Sequence, residues 1–276
     1  ERRARGEEEK PARPELTSTL ASYIDLHRHA AVGARLAAEP SVALRVMVAH
    51  AIAGSPLWSV RPADLSSRTE KTAASLAASP ALAALAEKRR AVLELLNMDT
   101  ARESVCQDRY GSDCVPILHR LMLLDDARVM QVLALVMAET LSPGSAVIEY
   151  LGERLAIDMA DHWQADEGFF ALLRDKEVLV ALLGEAGSEA VASANATQTG
   201  PTLKGLIADH LTGANERPVT TRWVPRWMVF PPSAYTERGG VPMVAASRRA
   251  KWMIEPEQAE AEVSAAAACA HAAQHD

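Results

Sequence analysis

DDARVMQVLALVMAETL, residues 125–141, decides how the rest of the chain is read. Val129, Val132, Leu133, Leu135, Val136 and Met137 recur at helical spacings and cover more than one face. A helix apolar on several sides must be surrounded by other elements. Asp125 or Asp126 supplies an N-cap, with acids at the positive end of the helix dipole. The stretch therefore predicts the centre of a helical core.

The same period extends in both directions. Upstream, Leu16, Leu20, Tyr23, Ile24, His27, Ala30 and Ala31 predict a helix from Glu15 that ends at Pro40. Ser41 can cap the next, which carries Val42, Leu44, Val46, Met47, Val48 and Ile52 and stops at Gly54. Residues 54–79, rich in Ser, Pro and Ala around Trp58, read as a long excursion. Pro80 opens another helix through Leu96, and 97–113, with Cys106, is loop-like. Downstream, Pro143-Gly144 turns the chain, and helical segments are expected over 145–157, 166–186 and 201–212. No stretch alternates long enough to predict a strand. The expectation is an all-α, irregular multi-helix bundle: a charged linker at 1–14, a helical domain at 15–215, a basic aromatic arm at 216–254 laid over it, and a disordered Ala-rich tail at 255–276.

Composition sets limits on function. The chain has 276 residues, 49% of them apolar but only 4% aromatic, so Leu, Ala, Val and Met fill the core. Three cysteines without CxxC spacing point to a reducing, cytoplasmic setting rather than a disulfide framework. No apolar run approaches a membrane span. Beginning at Glu1 rather than Met, the chain reads as a piece of a longer protein or as a processed one.

Motifs for chemistry are weak. In HRH, 27–29, residues two apart on a helix diverge, so His27 and His29 cannot share a metal ion. GPTLKG, 200–205, has the glycine separation of a phosphate loop but lacks the following Lys-Ser/Thr and a preceding strand. There Gly200 ends a turn and Thr202 caps a helix. Asp158 and His162, four apart and beside Trp163, form the one carboxylate–imidazole pair worth an enzymatic or ligand-binding alternative. No catalytic, cofactor or metal site is otherwise expected.

The arm is different. WVPRWMVFPPSAYTERGG, 223–240, interleaves arginines with rings, and residues 217–254 hold seven basic side chains against the single acid Glu237. That segment is +6 in a chain of net charge −7, so the remainder is −13. Arg222, Arg226, Arg238, Trp223 and Trp227 are candidate nucleic-acid contacts, cations for phosphate and rings for bases. The alternative is a mostly non-helical arm that turns its tryptophans inward, its arginines either pairing with the acidic body or left free.

ELTSTLASYIDLHRHAAVGARLAAEPSVALRVMVAHAIAG (15–54), HWQADEGFFALLRDKEVL (162–179), TGPTLKGLIADHL (199–211) and the arm together resemble the C-terminal region of large ParB/RepB-family partition proteins of plasmids and chromosomes. The resemblance spans about residues 15–240. ERRARG, 1–6, is similar to that family's arginine-rich phosphate-contact box, but without the surrounding domain the role is not carried over. The family's upstream nucleotide-binding and helix-turn-helix motifs are not in this sequence. The resemblance implies an accessory and self-association region, with DNA, a homodimer and a partition ATPase as partners and a nucleoid- or plasmid-associated location.

Overall fold

The computed structural model describes residues 14–53, 62–67, 69–106 and 114–254. The linker up to residue 13, the Gly54 stop, the surroundings of Trp58, residues 107–113 and the 255–276 tail lie outside them. Among the described residues the protein is all-α, with an isolated bridge at Leu141 and no strand. None of these helices is long and apolar enough to cross a membrane.

The helices are α1 (Ser18–Leu36), α2 (Pro40–Ala53), α3 (Glu70–Ala77), α4 (Pro80–Leu95), α5 (Cys114–Met122), α6 (Asp126–Thr140), α7 (Ala146–Arg154), α8 (Glu167–Leu172), α9 (Lys176–Ala186), α10 (Glu189–Asn195) and α11 (Gly200–Thr212). A further helix, α12, covers 242–254. Side-chain caps account for most starts. Thr17, Thr69, Asp125, Asp166, Asp175, Ser188 and Thr199 each accept a backbone N–H of their own first turn. Gly213, at φ +77°, closes α11 in the left-handed conformation.

The centre of the core is α1 rather than the 125–141 helix. Only the second half of α6 is buried, from Val132 onward, and it packs on α2 and α1. α1 is enclosed almost throughout, including His27, Arg28 and His29, and touches α2, α3, α4, α6, α7 and α8. Its polar run hides this from an apolar-periodicity argument. α9 forms a smaller unit with α10 and α11.

Other boundaries shift for local reasons. Pro40 begins α2 instead of ending α1, because a first-turn position needs no N–H donor. α3 lies inside the expected excursion; its Leu76 and Thr72 are buried and it packs on α8. The 166–186 segment breaks at 173–175, where Asp175 caps α9, and α10 occupies a stretch left unassigned. At α11, Thr199 is the cap and Gly200-Pro201 form the first turn. The arm is non-helical through 217–241 and then ends in α12.

α7 meets the arm closely. A Cβ at Gly152 would collide with the ring of Phe230. We expect Gly152→Ala to displace that ring and destabilise the fold by about 1–3 kcal/mol, the usual range for overpacking. Urea denaturation checks this, and an unchanged midpoint would contradict it.

Candidate functional site

The arm is fastened at one carboxylate. Glu15, itself buried, accepts from Trp227 Nε1 (2.7 Å), Tyr235 N (2.9 Å), Thr236 N (2.9 Å) and Thr236 Oγ1 (2.7 Å). Four donors on one carboxylate compensate its removal from water. Glu15 N in turn donates to Gly239 O at 3.2 Å. Trp227 and Met228 are 0% exposed. The Trp227 indole meets Tyr235 edge-on at 4.9 Å, and the Arg226 guanidinium lies 4.7 Å from the Tyr235 ring centroid. Upstream, Thr220 donates through Oγ1 to Ala186 O and through N to His210 O. The arm thereby satisfies carbonyls at the C-terminal ends of α9 and α11.

The candidate contact residues take their places within this frame. Arg222 pairs with Asp161 (2.8 Å) and Asp158 (2.5 Å), Arg226 with Glu185 (2.5 Å), and Arg238 with Asp175 (2.9 Å) and Glu177 (3.3 Å). Trp223 is half-buried, 6.3 Å from both Trp163 and Phe169. Trp227 presents no surface at all, so it offers nothing for a base to stack on. Of the two fates open to the arginines, pairing with the acidic body is the one observed. Such exposed pairs contribute little stability individually. They do neutralise the charge that would attract phosphate.

A second anchor lies deeper. Arg28, 0% exposed, makes a bidentate pair with the equally buried Glu149. Its Nη2 donates to Val229 O (3.4 Å), and Phe230 covers its guanidinium at 4.2 Å. Burial pushes the Glu149 carboxyl up, to about 7, against the opposing pull of Arg28. Burial likewise raises Asp25 to about 6; its Oδ1 has no hydrogen-bond partner.

The flanking histidines bond on separate sides. His29 Nε2 donates to Leu141 O at 2.7 Å. His27 Nε2 meets Ser75 Oγ at 3.2 Å, within a network in which Tyr23 OH contacts Ser75 (2.9 Å), donates to Asp166 (3.3 Å) and accepts from Trp163 Nε1 (3.1 Å). Burial lowers both histidines to about 4.

Asp158 and Trp163 diverge, while the half-buried His162 lies near enough to Asp158 to help hold its carboxyl down. Asp158 caps a short 3₁₀ turn and faces Arg222 at the surface. The Ala160 N–H, then Arg222, hold its carboxyl below the usual range, opposite to the raised value a general acid needs. Trp163 points into the core towards Tyr23.

A cleft of about 1200 Å³ lies between α1, α4, α6 and the 62–66 and 99–106 loops. Its polar groups largely serve one another. Glu139 accepts from Arg89 Nε (2.5 Å), Ser104 Oγ (2.7 Å) and Val105 N (2.9 Å). Burial, with Glu139 nearby, raises the Cys106 thiol to about 11, which keeps it protonated and poorly nucleophilic at neutral pH. Among the described residues, no group of three or more His, Cys, Asp or Glu side chains could hold a metal ion.

Sequence reasoning missed Glu15 and the Arg28–Glu149 pair. The signal for the first was a lone acid just before a cap residue; for the second, a charge inside an otherwise apolar helical stripe. The chain matches no family model, no curated protein and no solved structure in these comparisons.

Two outcomes follow. Glu15→Ala leaves buried donors on Trp227 and Thr236 unmatched and should cost about 2–4 kcal/mol. Trp227 fluorescence should shift to the red as the arm loosens, and a native-like spectrum and stability would contradict this. For pH, the folded histidines titrate near 4 against 6.5 unfolded, so the unfolded state binds more protons in that window. Their contribution is complete above pH 6.5 and is lost as pH falls towards 4. Asp25 and Glu149, being raised, act in the opposite sense over about pH 4 to 7. A His27→Gln/His29→Gln variant should therefore lose less stability than the parent between pH 6.5 and 4; parallel pH profiles would refute the assignment.

Proposed function

We propose that this chain is the C-terminal accessory and self-association region of a ParB-like DNA-partition protein that acts in plasmid or chromosome segregation. The sequence resemblance over about 15–240 supplies the class. The observation that carries the reading is the arm: its aromatics and three of its arginines bind the helical body, through Glu15, Glu185, Asp158, Asp161 and Asp175. An arm held in this way suits an association module. In the alternative, a helical ligand-binding or enzymatic domain centred on Asp158, His162 and Trp163, Asp158 is held by Arg222 at the surface and Trp163 is turned into the core.

Association needs apolar surface, and Met122, Leu123 and Tyr150 leave large apolar side chains exposed. In this reading a second copy is the immediate partner. DNA and a partition ATPase are served by the full protein, in the cytoplasm on nucleoid or plasmid.

Sedimentation velocity over a concentration series tests the association half, with a dimer expected to grow with concentration. A strict monomer throughout would remove it. The partition half is tested by replicon loss. Deleting this region from the encoding gene should raise the loss rate, and unchanged inheritance would overturn the role.

A further inference from the structure

With Arg222, Arg226 and Arg238 each engaged by a carboxylate within 2.9 Å, the basic character of the arm resides elsewhere. α12 (242–254) is amphipathic in an unusual sense. Its inward face carries Met243, Ala246 and Ser247, all buried. Its outward face carries Arg248, Arg249 and Trp252, at spacings of three and four, so the ring and both guanidiniums share one side. Trp252 is 71% exposed and the neighbouring Met253 55%. Neither Arg248 nor Arg249 makes an ion pair among the described residues, whereas Lys251 is 3.6 Å from Glu153.

We propose that this outward face of α12 is a nucleic-acid contact, in which Arg248 and Arg249 bind backbone phosphate and Trp252 stacks on an accessible base. The proposal rests on the partition role proposed above, adds to it a DNA contact made by this chain itself, and places that contact away from the paired arginines. Three physical points select this occupant. Two unpaired guanidiniums beside a solvent-facing indole match an anionic polymer bearing planar rings. A second copy docking α12 on α12 across a two-fold axis would bring the arginines towards their own counterparts, and like charges oppose that contact. A lipid surface would need the helix to offer a broad apolar face, and that face is already buried against the body. Of its large apolar side chains, only Trp252 and Met253 are exposed.

Labelled single-stranded and duplex DNA would be titrated with the chain at several salt concentrations, following fluorescence anisotropy. The parent is expected to bind both at low salt. Arg248→Ala/Arg249→Ala should weaken binding to both, by about tenfold at low salt, and flatten the log–log salt dependence by roughly 2 for duplex, the slope of two lost phosphate contacts. Trp252→Ala should weaken single-strand binding by roughly tenfold and duplex binding by less, because stacking needs an open base, and Trp252→Phe should restore most of it. All three positions are exposed, and far-ultraviolet circular dichroism verifies that the variants keep the parent's helicity. No binding to either DNA at low salt, an unchanged double variant, or binding only to anionic lipid vesicles would overturn the proposal. Sedimentation of the same variants keeps the two ideas apart. A dimer that does not bind DNA defeats this inference and leaves association standing; a monomer whose binding depends on Arg248 and Arg249 does the reverse. Dimerisation abolished by Trp252→Ala, with DNA binding intact, would assign the face to a second copy instead.

Discussion

Burying a guanidinium in the middle of the core dictates much of this structure. Arg28 sits on the most enclosed helix, and an isolated charge there would be prohibitive. Its neutralising carboxylate comes from α7, 121 residues away in sequence, while a further acceptor, Val229 O, and its covering ring come from the arm, about 200 residues away. One side chain thus requires three distant segments to be in place together. Breaking such a pair from one side costs several kcal/mol, whereas replacing both partners by well-packed apolar groups is often neutral. The pair is therefore better understood as fixing which arrangement forms than as adding net stability. The raised Glu149 carboxyl carries the same message, since desolvation outweighs the attraction of Arg28 there.

The arm repeats this logic nearer the surface. Its charges go to carboxylates on α9, the 3₁₀ turn and the α9 cap, and its largest ring goes beneath Glu15. The uneven charge distribution of +6 against −13 is thus partly an internal complementarity. A basic segment in an acidic protein can be an adhesive for its own body, and what remains for partners is the portion left unpaired.

How much of this was legible depended on range. The cap at Asp125, the helix start at Pro80, the turn at Gly144 and the helical class follow from residues a few positions apart, and they could be read directly. The inward turn of Trp227 was deducible from the price of exposing a large ring. The rest was not local. HRH could be excluded as a metal pair by geometry, yet nothing nearby told that all three residues are buried, because their partners Ser75, Glu149 and Leu141 lie 48 to 121 positions away. Glu15 reads as the start of the first helix, and nothing nearby shows that its partners lie at 227–236. α12 was absorbed into the arm because two arginines, a lysine and a tryptophan obscure the apolar face formed by Met243 and Ala246. Asp158, His162 and Trp163 are neighbours in sequence, but the short turn between them sends the acid to the surface and the indole to the core.

The Glu15 clasp also has a mechanical consequence. It joins the first described residues of the chain directly to 235–240, so tension entering along the segment before Glu15 meets this junction before it reaches α1. Four short hydrogen bonds converge on a single side chain there, and they would be loaded together rather than one after another. Force applied from that side would be borne by the arm as well as by the first helix, and once the junction yielded, the ring of Trp227 would lose its polar tether while the Arg28–Glu149 pair still held the interior closed.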